Sequence, residues 1–95
     1  MQNNAVETKP SPSSLILYHR DMCMFCWRVQ QVINKLGIEV ESRNIWQDAE
    51  SERELVEARG QTTVPVLRIV DDEGDSAWLP ESSDIIDYLK KNHAA

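Results

Sequence analysis

The pattern that most restricts the fold is a run of four apolar residues at positions 15–18, followed by a helical repeat. A short, unbroken apolar run is typical of a strand buried on both faces. From residue 24, apolar residues recur at three- and four-residue steps up to Leu36, and Gly37 stands where helices often end. We therefore predict a central strand, a loop over residues 19–22 with Asp21 as a possible helix-cap acceptor, and an amphipathic helix.

The rest of the sequence predicts five further elements. They are a strand at 38–45, a helix at 48–59, a strand at 64–70, an edge strand at 76–79 and a helix at 81–92. A helix joins the first two strands, which makes them parallel, whereas the short polar turn before the last strand predicts an antiparallel hairpin. The sequence thus predicts an α/β fold with one four-stranded mixed sheet and helices on both faces.

Length and charge limit the classes of function. The 95 residues suit one domain, and a net charge of -6 argues against nucleic-acid binding, which needs clustered lysine and arginine. Residues 1–14 are polar, contain Pro10 and Pro12, and predict a flexible N-terminal segment before a domain at 15–93. No window approaches the roughly 18 apolar residues of a membrane span. We expect a cytoplasmic monomer with no nucleic-acid or membrane partner.

The two cysteines of the chain stand together in Cys23-Met24-Phe25-Cys26, at the predicted start of the first helix. Free backbone N–H groups and the helix dipole favour the thiolate of Cys23, the form that attacks disulfides. The alternatives are a zinc site completed by His19 and His93, an inert buried pair, and a structural disulfide. Zinc usually requires four ligands in common spacings, and so short a disulfide loop adds little stability. A redox or thiol-binding role is favoured.

Two further motifs follow in order, Thr63-Val64-Pro65 before the third strand and Glu81-Ser82-Ser83-Asp84-Ile85 at the last helix. With the cysteine pair, they resemble the glutaredoxin branch of the thioredoxin-fold superfamily over about residues 15–92. The last motif is also similar to the N-terminal domain of glutathione transferases. The resemblance implies a thioredoxin-like fold and a glutathione-dependent thiol-disulfide oxidoreductase. Its substrates would be protein disulfides or protein–glutathione mixed disulfides, with Cys23 as nucleophile and Cys26 as resolving or auxiliary thiol.

The resemblance also implies a binding site for glutathione, the co-substrate. Arg20 matches a usually basic position that assists the thiolate or pairs with a glutathione carboxylate, and Phe25 retains an aromatic residue of the family motif. Thr63-Val64-Pro65 resembles the cis-proline loop whose Val64 backbone pairs with the cysteinyl part of glutathione. The alternatives are a surface arginine at Arg20 and a proline that simply begins a strand.

The helix start near Ser82 completes the implied site. Backbone N–H groups at Ser82 and Ser83 would bind the γ-glutamyl carboxylate, and Asp84 would hold the α-amino group. Glu81-Ser82 also matches the Glu-Ser pair that binds the γ-glutamyl end of glutathione in glutathione transferases. The alternative is a helix that is merely capped, since serine and aspartate are favoured there.

Met24 replaces the proline usual in the glutaredoxin motif, and this leaves two other functions open. One is a [2Fe-2S] protein in which each of two chains supplies Cys23 and one bound glutathione. The other is a glutathione-binding module without turnover. The sequence predicts no resident metal ion apart from that cluster.

Overall fold

A computed structural model describes residues 14–93, without the side chain of His93. The elements in chain order are β1 (Ser14–His19), α1 (Met24–Leu36), β2 (Glu41–Asn44), α2 (Ala49–Arg59), β3 (Val66–Val70), β4 (Ser76–Pro80) and α3 (Ser82–His93). Most of the predicted flexible segment, residues 1–13, lies outside the described residues. Its last residue, Ser14, begins β1 rather than preceding it. None of the described helices is long and apolar enough to cross a membrane.

The four strands form one mixed sheet in the order β2-β1-β3-β4. The β1 and β2 strands run parallel, with Ile16 opposite Glu41. The β3 strand pairs antiparallel with β1, where Leu17 lies opposite Leu67, and also with β4. The predicted sheet topology, with the first strand in the interior of the sheet, is therefore confirmed.

Alternation along β1 sends its side chains into two separate cores. On one face, α1 and α3 cover a cluster of seven buried residues: Leu15, Leu17, Val29, Ile33, Leu67, Ile85 and Leu89. On the other face, α2 covers a smaller cluster: Ile16, Tyr18, Ile45, Leu55 and Val66. Helices thus lie on both faces of the sheet, as predicted.

A polar network supports the smaller core beside α2. The Tyr18 hydroxyl donates to Glu54 Oε1 at 2.9 Å and accepts from Arg68 Nη1 at 3.2 Å. Arg43 Nη1 donates to the same carboxylate oxygen of Glu54 at 2.6 Å. Burial raises the pKa of Tyr18, and its hydrogen bond to Glu54 acts in the same direction, whereas the contact with Arg68 opposes it. The network satisfies a phenol that is fully buried beneath the helix.

The sequence placed two strand boundaries wrongly. The predicted strand at 38–45 is ordered as a strand only at Glu41–Asn44, although Ile38 and Val40 still pack against the larger core. The predicted strand at 64–70 begins at Val66, after a cis peptide bond between Val64 and Pro65. An alternation of apolar residues indicates which side chains are buried. A strand also requires hydrogen bonds to a neighbouring backbone, and residues 38–40 have no such partner in the sheet.

Asp21 is not the cap of α1, which corrects the prediction. The N-cap is Cys23, whose own side chain accepts the capping hydrogen bond. Asp21 instead accepts hydrogen bonds from Asn44 Nδ2 at 3.0 Å and Gln47 Nε2 at 3.4 Å. These contacts tie the loop before α1 to the end of β2 and the residues that follow it.

Candidate functional site

The Cys23 sulfur lies at the N-terminus of α1, where it takes the place of a capping oxygen. Its Sγ accepts a hydrogen bond from the backbone N–H of Cys26 at 3.2 Å, and its carbonyl accepts from the N–H of Trp27 at 2.9 Å. The first turn of α1 contains no acidic residue. A thiolate accepts such a hydrogen bond more strongly than a thiol does, and the helix dipole also favours negative charge here. The residue is half-buried, so its sulfur is accessible to a reactant.

Cys26 occupies a different environment one turn into the helix. Only 1% of its surface is exposed. Burial raises the pKa of Cys26 to about 12, and its hydrogen-bonded contact with Cys23 adds to the effect. Both cysteines are free thiols in this structure. Cys26 is therefore a protonated partner at neutral pH, while Cys23 is the accessible sulfur.

Two residues with left-handed backbone stand directly before the two helix starts of the site. Met22 has φ 57° and Glu81 has φ 74°, and among residues 14–93 they are the non-glycine residues with positive φ. Side chains with a Cβ rarely adopt this conformation, and such residues concentrate at functional sites. Met22 immediately precedes the N-cap of α1, and Glu81 immediately precedes the first residue of α3.

A cleft of about 300 Å³ lies between the start of α1, the cis-proline loop and the start of α3. We call it the proline cleft. Five residues predicted for glutathione binding line it: Phe25, Thr63, Val64, Pro65 and Ser82. Glu81, Arg59 and Gln61 also contribute to its walls. The fold thus brings together three segments that are far apart in the sequence.

Three of the eight residues predicted to bind glutathione do not line the proline cleft, and neither do the two cysteines. Ser83 and Asp84 are exposed in the first turn of α3, next to its lining residue Ser82. Arg20 Nη1 donates to the carbonyls of Asp21 at 2.9 Å and Met22 at 3.2 Å. The guanidinium of Arg20 also lies 5.0 Å from the ring centroid of Trp46. In this structure Arg20 is hydrogen-bonded to the loop before Cys23, and its role in binding glutathione stays a prediction.

A second recess of about 660 Å³ borders Cys23 and shares no lining residue with the proline cleft. We call it the apolar groove, because Met22, Met24 and Trp27 form much of its wall, together with His19. Burial lowers the pKa of His19, although the nearby Asp21 carboxylate acts in the opposite direction. Consecutive residues of α1 thus face different recesses, with Met24 on the groove and Phe25 on the proline cleft.

The comparison with protein families decides where the chain belongs. Residues 17–95 match the family model described as the N-terminal domain of glutathione S-transferase. The chain is a member of that family. Glutaredoxin 2 of Escherichia coli K12 is 34% identical over 76 residues, which are 79% of this chain and 32% of that protein. The chain therefore spans about a third of the length of the curated relatives that it matches.

Solved structures confirm the thioredoxin-like fold of the domain. Maleylacetoacetate isomerase from Anaeromyxobacter dehalogenans, solved with bound glutathione, has a TM-score of 0.65 at 26% identity. The match covers 85% of this chain and 38% of the isomerase. The holo form of glutaredoxin C1 from Populus tremula x tremuloides, at 17% identity, supports the fold alone, with a TM-score of 0.61 over 85% of this chain and 78% of that protein. The family match and the relative glutaredoxin 2 confirm the resemblance inferred from the three motifs.

The sequence did not single out Arg59, which the structure places at the proline cleft. Arg59 is the last residue of α2 and lines the proline cleft. Its Nε is buried and has no hydrogen-bond partner within the described residues. In the sequence, a basic residue before Gly60 indicates only a favourable charge at a helix end. Its proximity to Pro65 depends on tertiary packing, which the local pattern does not contain.

The described residues bear on two metal-binding hypotheses, a zinc site and a shared [2Fe-2S] cluster. Within residues 14–93, whose description omits the His93 side chain, no group of three His, Cys, Asp or Glu residues could hold a metal ion. The chain offers one partly exposed cysteine thiol, Cys23, and one buried cysteine thiol, Cys26. One accessible sulfur per chain fits the donor set of the shared [2Fe-2S] cluster, so that hypothesis stays a prediction.

Proposed function

We propose that this domain is a glutathione-dependent thiol-disulfide oxidoreductase that reduces protein disulfides or protein–glutathione mixed disulfides through Cys23. The observation that carries the proposal is the partly exposed Cys23 at the N-cap of α1, two residues before Phe25, which lines a cleft with a cis-proline loop. The relatives named glutaredoxin and the glutathione-bound isomerase support the same choice of co-substrate.

The proposed reaction is a pair of thiol-disulfide exchanges. The Cys23 thiolate attacks the glutathionyl sulfur of a mixed disulfide and forms a Cys23–glutathione disulfide. The bond to the substrate sulfur breaks, and the substrate leaves as a thiolate that takes a proton from water. A second glutathione thiolate then attacks the glutathione sulfur on Cys23. Oxidised glutathione is released, and the Cys23 thiolate is restored.

Cys26 has a lesser part in this scheme. With a pKa of about 12, caused chiefly by burial, its sulfur is almost wholly protonated at neutral pH. A protonated thiol is a poor nucleophile toward the Cys23–glutathione disulfide. We therefore infer that the second glutathione, rather than Cys26, resolves the intermediate, and that Cys26 holds the Cys23 sulfur through its backbone N–H.

The proline cleft would hold glutathione along its length. The backbone of Val64 would pair with the cysteinyl part, in the way that an added strand pairs with a sheet edge. The N–H groups at Ser82 and Ser83 would donate hydrogen bonds to the γ-glutamyl carboxylate at the positive end of α3. Asp84 would attract the α-amino group, with Phe25 and Thr63 closing the walls of the cleft.

Arg59 supplies the cation that the second carboxylate of glutathione needs. The start of α3 can take one carboxylate, and Arg20 already directs its guanidinium to two carbonyls of its own loop. The Nε of Arg59 is buried beside the cleft without a partner, a state that costs free energy until an acceptor arrives. Arginine pairs with carboxylates through two parallel hydrogen bonds. We therefore assign the glycine carboxylate to Arg59.

The decisive experiment compares the wild-type chain with Cys23→Ser and Cys26→Ser. The assay follows reduction of the mixed disulfide between glutathione and 2-mercaptoethanol, with excess glutathione as reductant. Cys23→Ser should show no turnover above the uncatalysed rate, because the attacking sulfur is gone. Cys26→Ser should keep a rate of the wild-type order, because Cys26 is not needed for resolution.

Three outcomes separate the alternatives in that experiment. Turnover by Cys23→Ser would remove Cys23 from the reaction and refute the proposal. Loss of turnover in Cys26→Ser alone would show that Cys26 resolves the intermediate. Glutathione binding by the wild type without any turnover would instead favour the non-catalytic binding module.

A further inference from the structure

The exposed apolar surface of the domain is concentrated around Cys23. Six large apolar side chains are exposed in residues 14–93, and one of them, Val56, lies away on α2. The other five are Met22, Met24, Phe25, Trp27 and Trp46. Met22 is 90% exposed and Met24 is 67% exposed, so neither contributes much to the core. Apolar surface that is gathered at one place marks a binding surface.

The two charged side chains beside the apolar groove, Arg20 and Asp21, have opposite signs, and each is hydrogen-bonded to neutral groups of the domain. The guanidinium of Arg20 donates to two loop carbonyls and stacks on Trp46. The Asp21 carboxylate accepts from the side-chain amides of Asn44 and Gln47. Burial favours the neutral form of His19 by lowering its pKa. Apart from the reacting sulfur of Cys23, this groove therefore offers a partner apolar contact and no net charge.

We propose that the apolar groove binds the polypeptide segment that flanks the reacting cysteine of the disulfide substrate, and that this segment is apolar and uncharged. The inference rests on the proposed function, because a disulfide substrate has two sulfur partners. The proline cleft accommodates glutathione, and Cys23 separately borders the groove. The second partner thus contacts Met22, Met24 and Trp27 while its sulfur is near Cys23.

The size and chemistry of the groove favour a peptide over a small thiol. Its volume of about 660 Å³ is roughly twice that of the proline cleft, at about 300 Å³. Methionine side chains are flexible and polarizable, and they accommodate apolar partners of varied shape. The opposite charges of Arg20 and Asp21 leave the groove walls without net charge, so a charged segment would gain little there and would lose part of its hydration. The groove therefore recognises the sequence around the reacting cysteine of the substrate rather than one particular protein.

The test uses four glutathionylated peptides that differ only in the residues on either side of cysteine: leucine, serine, glutamate or lysine. The readout is kcat/KM for release of the peptide thiol by the full chain, with glutathione as reductant. The leucine peptide should exceed each of the others by about tenfold, since burying part of one leucine side chain gives an effect of this order. The peptide series with the wild type needs no variant that might fail to fold.

Variants then locate the preference. Met22→Asn combined with Met24→Ser should reduce the ratio between leucine and serine peptides to near one, and asparagine tolerates the left-handed backbone at position 22. The matched control is Val56→Ser, an exposed apolar residue on another element, which should leave the ratio unchanged. If Val56→Ser reduced the ratio equally, the preference would not lie in the groove and the inference would be overturned.

The outcomes distinguish this inference from the proposed function. Equal kcat/KM for all four peptides, alongside turnover of the 2-mercaptoethanol mixed disulfide, would overturn the inference and leave the proposed function intact. No turnover of any of these disulfides would overturn both. If the wild type sediments as a dimer and the Met22→Asn, Met24→Ser variant sediments as a monomer, the surface joins two copies of the chain. That result would also overturn the inference.

Discussion

At the scale of single residues, the two cysteines differ more than their spacing suggests. Cys23 is accessible at the helix start, whereas Cys26 is nearly fully buried and points into the protein. The same helical turn therefore provides one reactive sulfur and one protected sulfur. The sequence predicted the position of both residues, but the environment of Cys26 depends on its packing against the rest of the fold.

Alkylation at pH 8 should distinguish the two thiols. Iodoacetamide reacts with thiolates, and burial raises the pKa of Cys26 to about 12, so its thiolate fraction is very small at this pH. Intact-mass spectrometry should show one adduct on the wild type, one on Cys26→Ser and none on Cys23→Ser. In concentrated urea the wild type should gain two adducts, which controls for reagent and time. One rapid adduct on folded Cys23→Ser would contradict the assignment.

Arg59→Gln should weaken glutathione binding by about tenfold or more, because a hydrogen bond to a charged group contributes roughly 1.5–3 kcal/mol. Titration calorimetry with two ligands tests the contact. Glutathione should lose affinity, while γ-glutamylcysteine, which lacks the glycine carboxylate, should bind the variant and the wild type equally.

Arg53→Gln provides the matched control for this experiment. Arg53 lies on the same helix but forms an ion pair with Glu50 at the surface, so its substitution should leave both affinities unchanged. An equal loss of affinity for both ligands in Arg59→Gln would show that Arg59 acts through the general shape of the cleft and not through the glycine carboxylate.

At the scale of elements, α2 is the least anchored helix of the sheet. Its two buried residues are Ser51 and Leu55, and Ser51 donates its hydroxyl to Asp48 at 2.6 Å instead of packing on apolar groups. Leu55 is therefore the apolar side chain that fixes α2 to the smaller core. The position of Arg59 at the cleft depends on the same anchor, one helical turn away.

Leu55→Ala should lower the free energy of unfolding by about 2–5 kcal/mol, because it leaves a cavity in a fully packed site. The neighbouring Val56→Ala removes a side chain that is 40% exposed and should change the unfolding free energy by roughly 0.5 kcal/mol or less. Urea denaturation followed by tryptophan fluorescence measures both. Similar losses in the two variants would mean that α2 packs on the sheet differently from the structure described.

The errors of the sequence-based prediction also belong to the scale of elements. The predicted helix over residues 24–36 is confirmed, because a 3.6-residue repeat and Gly37, with φ 69°, are both local signals. The second strand was predicted too long because Ile38 and Val40 are partly buried without pairing in the sheet. Asp21 was predicted as a cap because local rules do not reveal that a cysteine sulfur fills that role.

At the scale of the whole molecule, the predicted order of strands and helices was enough to predict the topology of the sheet. Short connections and the parallel crossover leave few topologies, and the one predicted is confirmed. The cleft was only partly predictable. The motifs indicated Val64 and Ser82, whereas Arg59 and the apolar groove arise where elements distant in sequence meet.

The predicted division between an N-terminal segment and a domain can be tested by truncation. A chain that begins at Ser14 keeps every residue of the two cores and the pairing of Ser14 with Val70. Its free energy of unfolding should equal that of the full chain within error, as measured by urea denaturation. A chain that begins at Ile16 should be less stable, because it loses Leu15 from the larger core. A large loss in the first truncation would show that residues 1–13 contribute to the folded domain.

The alternation along β1 places adjacent residues of the chain in separate interiors. Leu17 lies beneath α1 and α3, and Tyr18 lies on the other face of the sheet beneath α2. The backbone of one strand thus acts as a wall between two compartments. A substitution in one core therefore needs no compensating substitution in the other. The polar network around Tyr18 and the packing behind Cys23 can thus evolve independently.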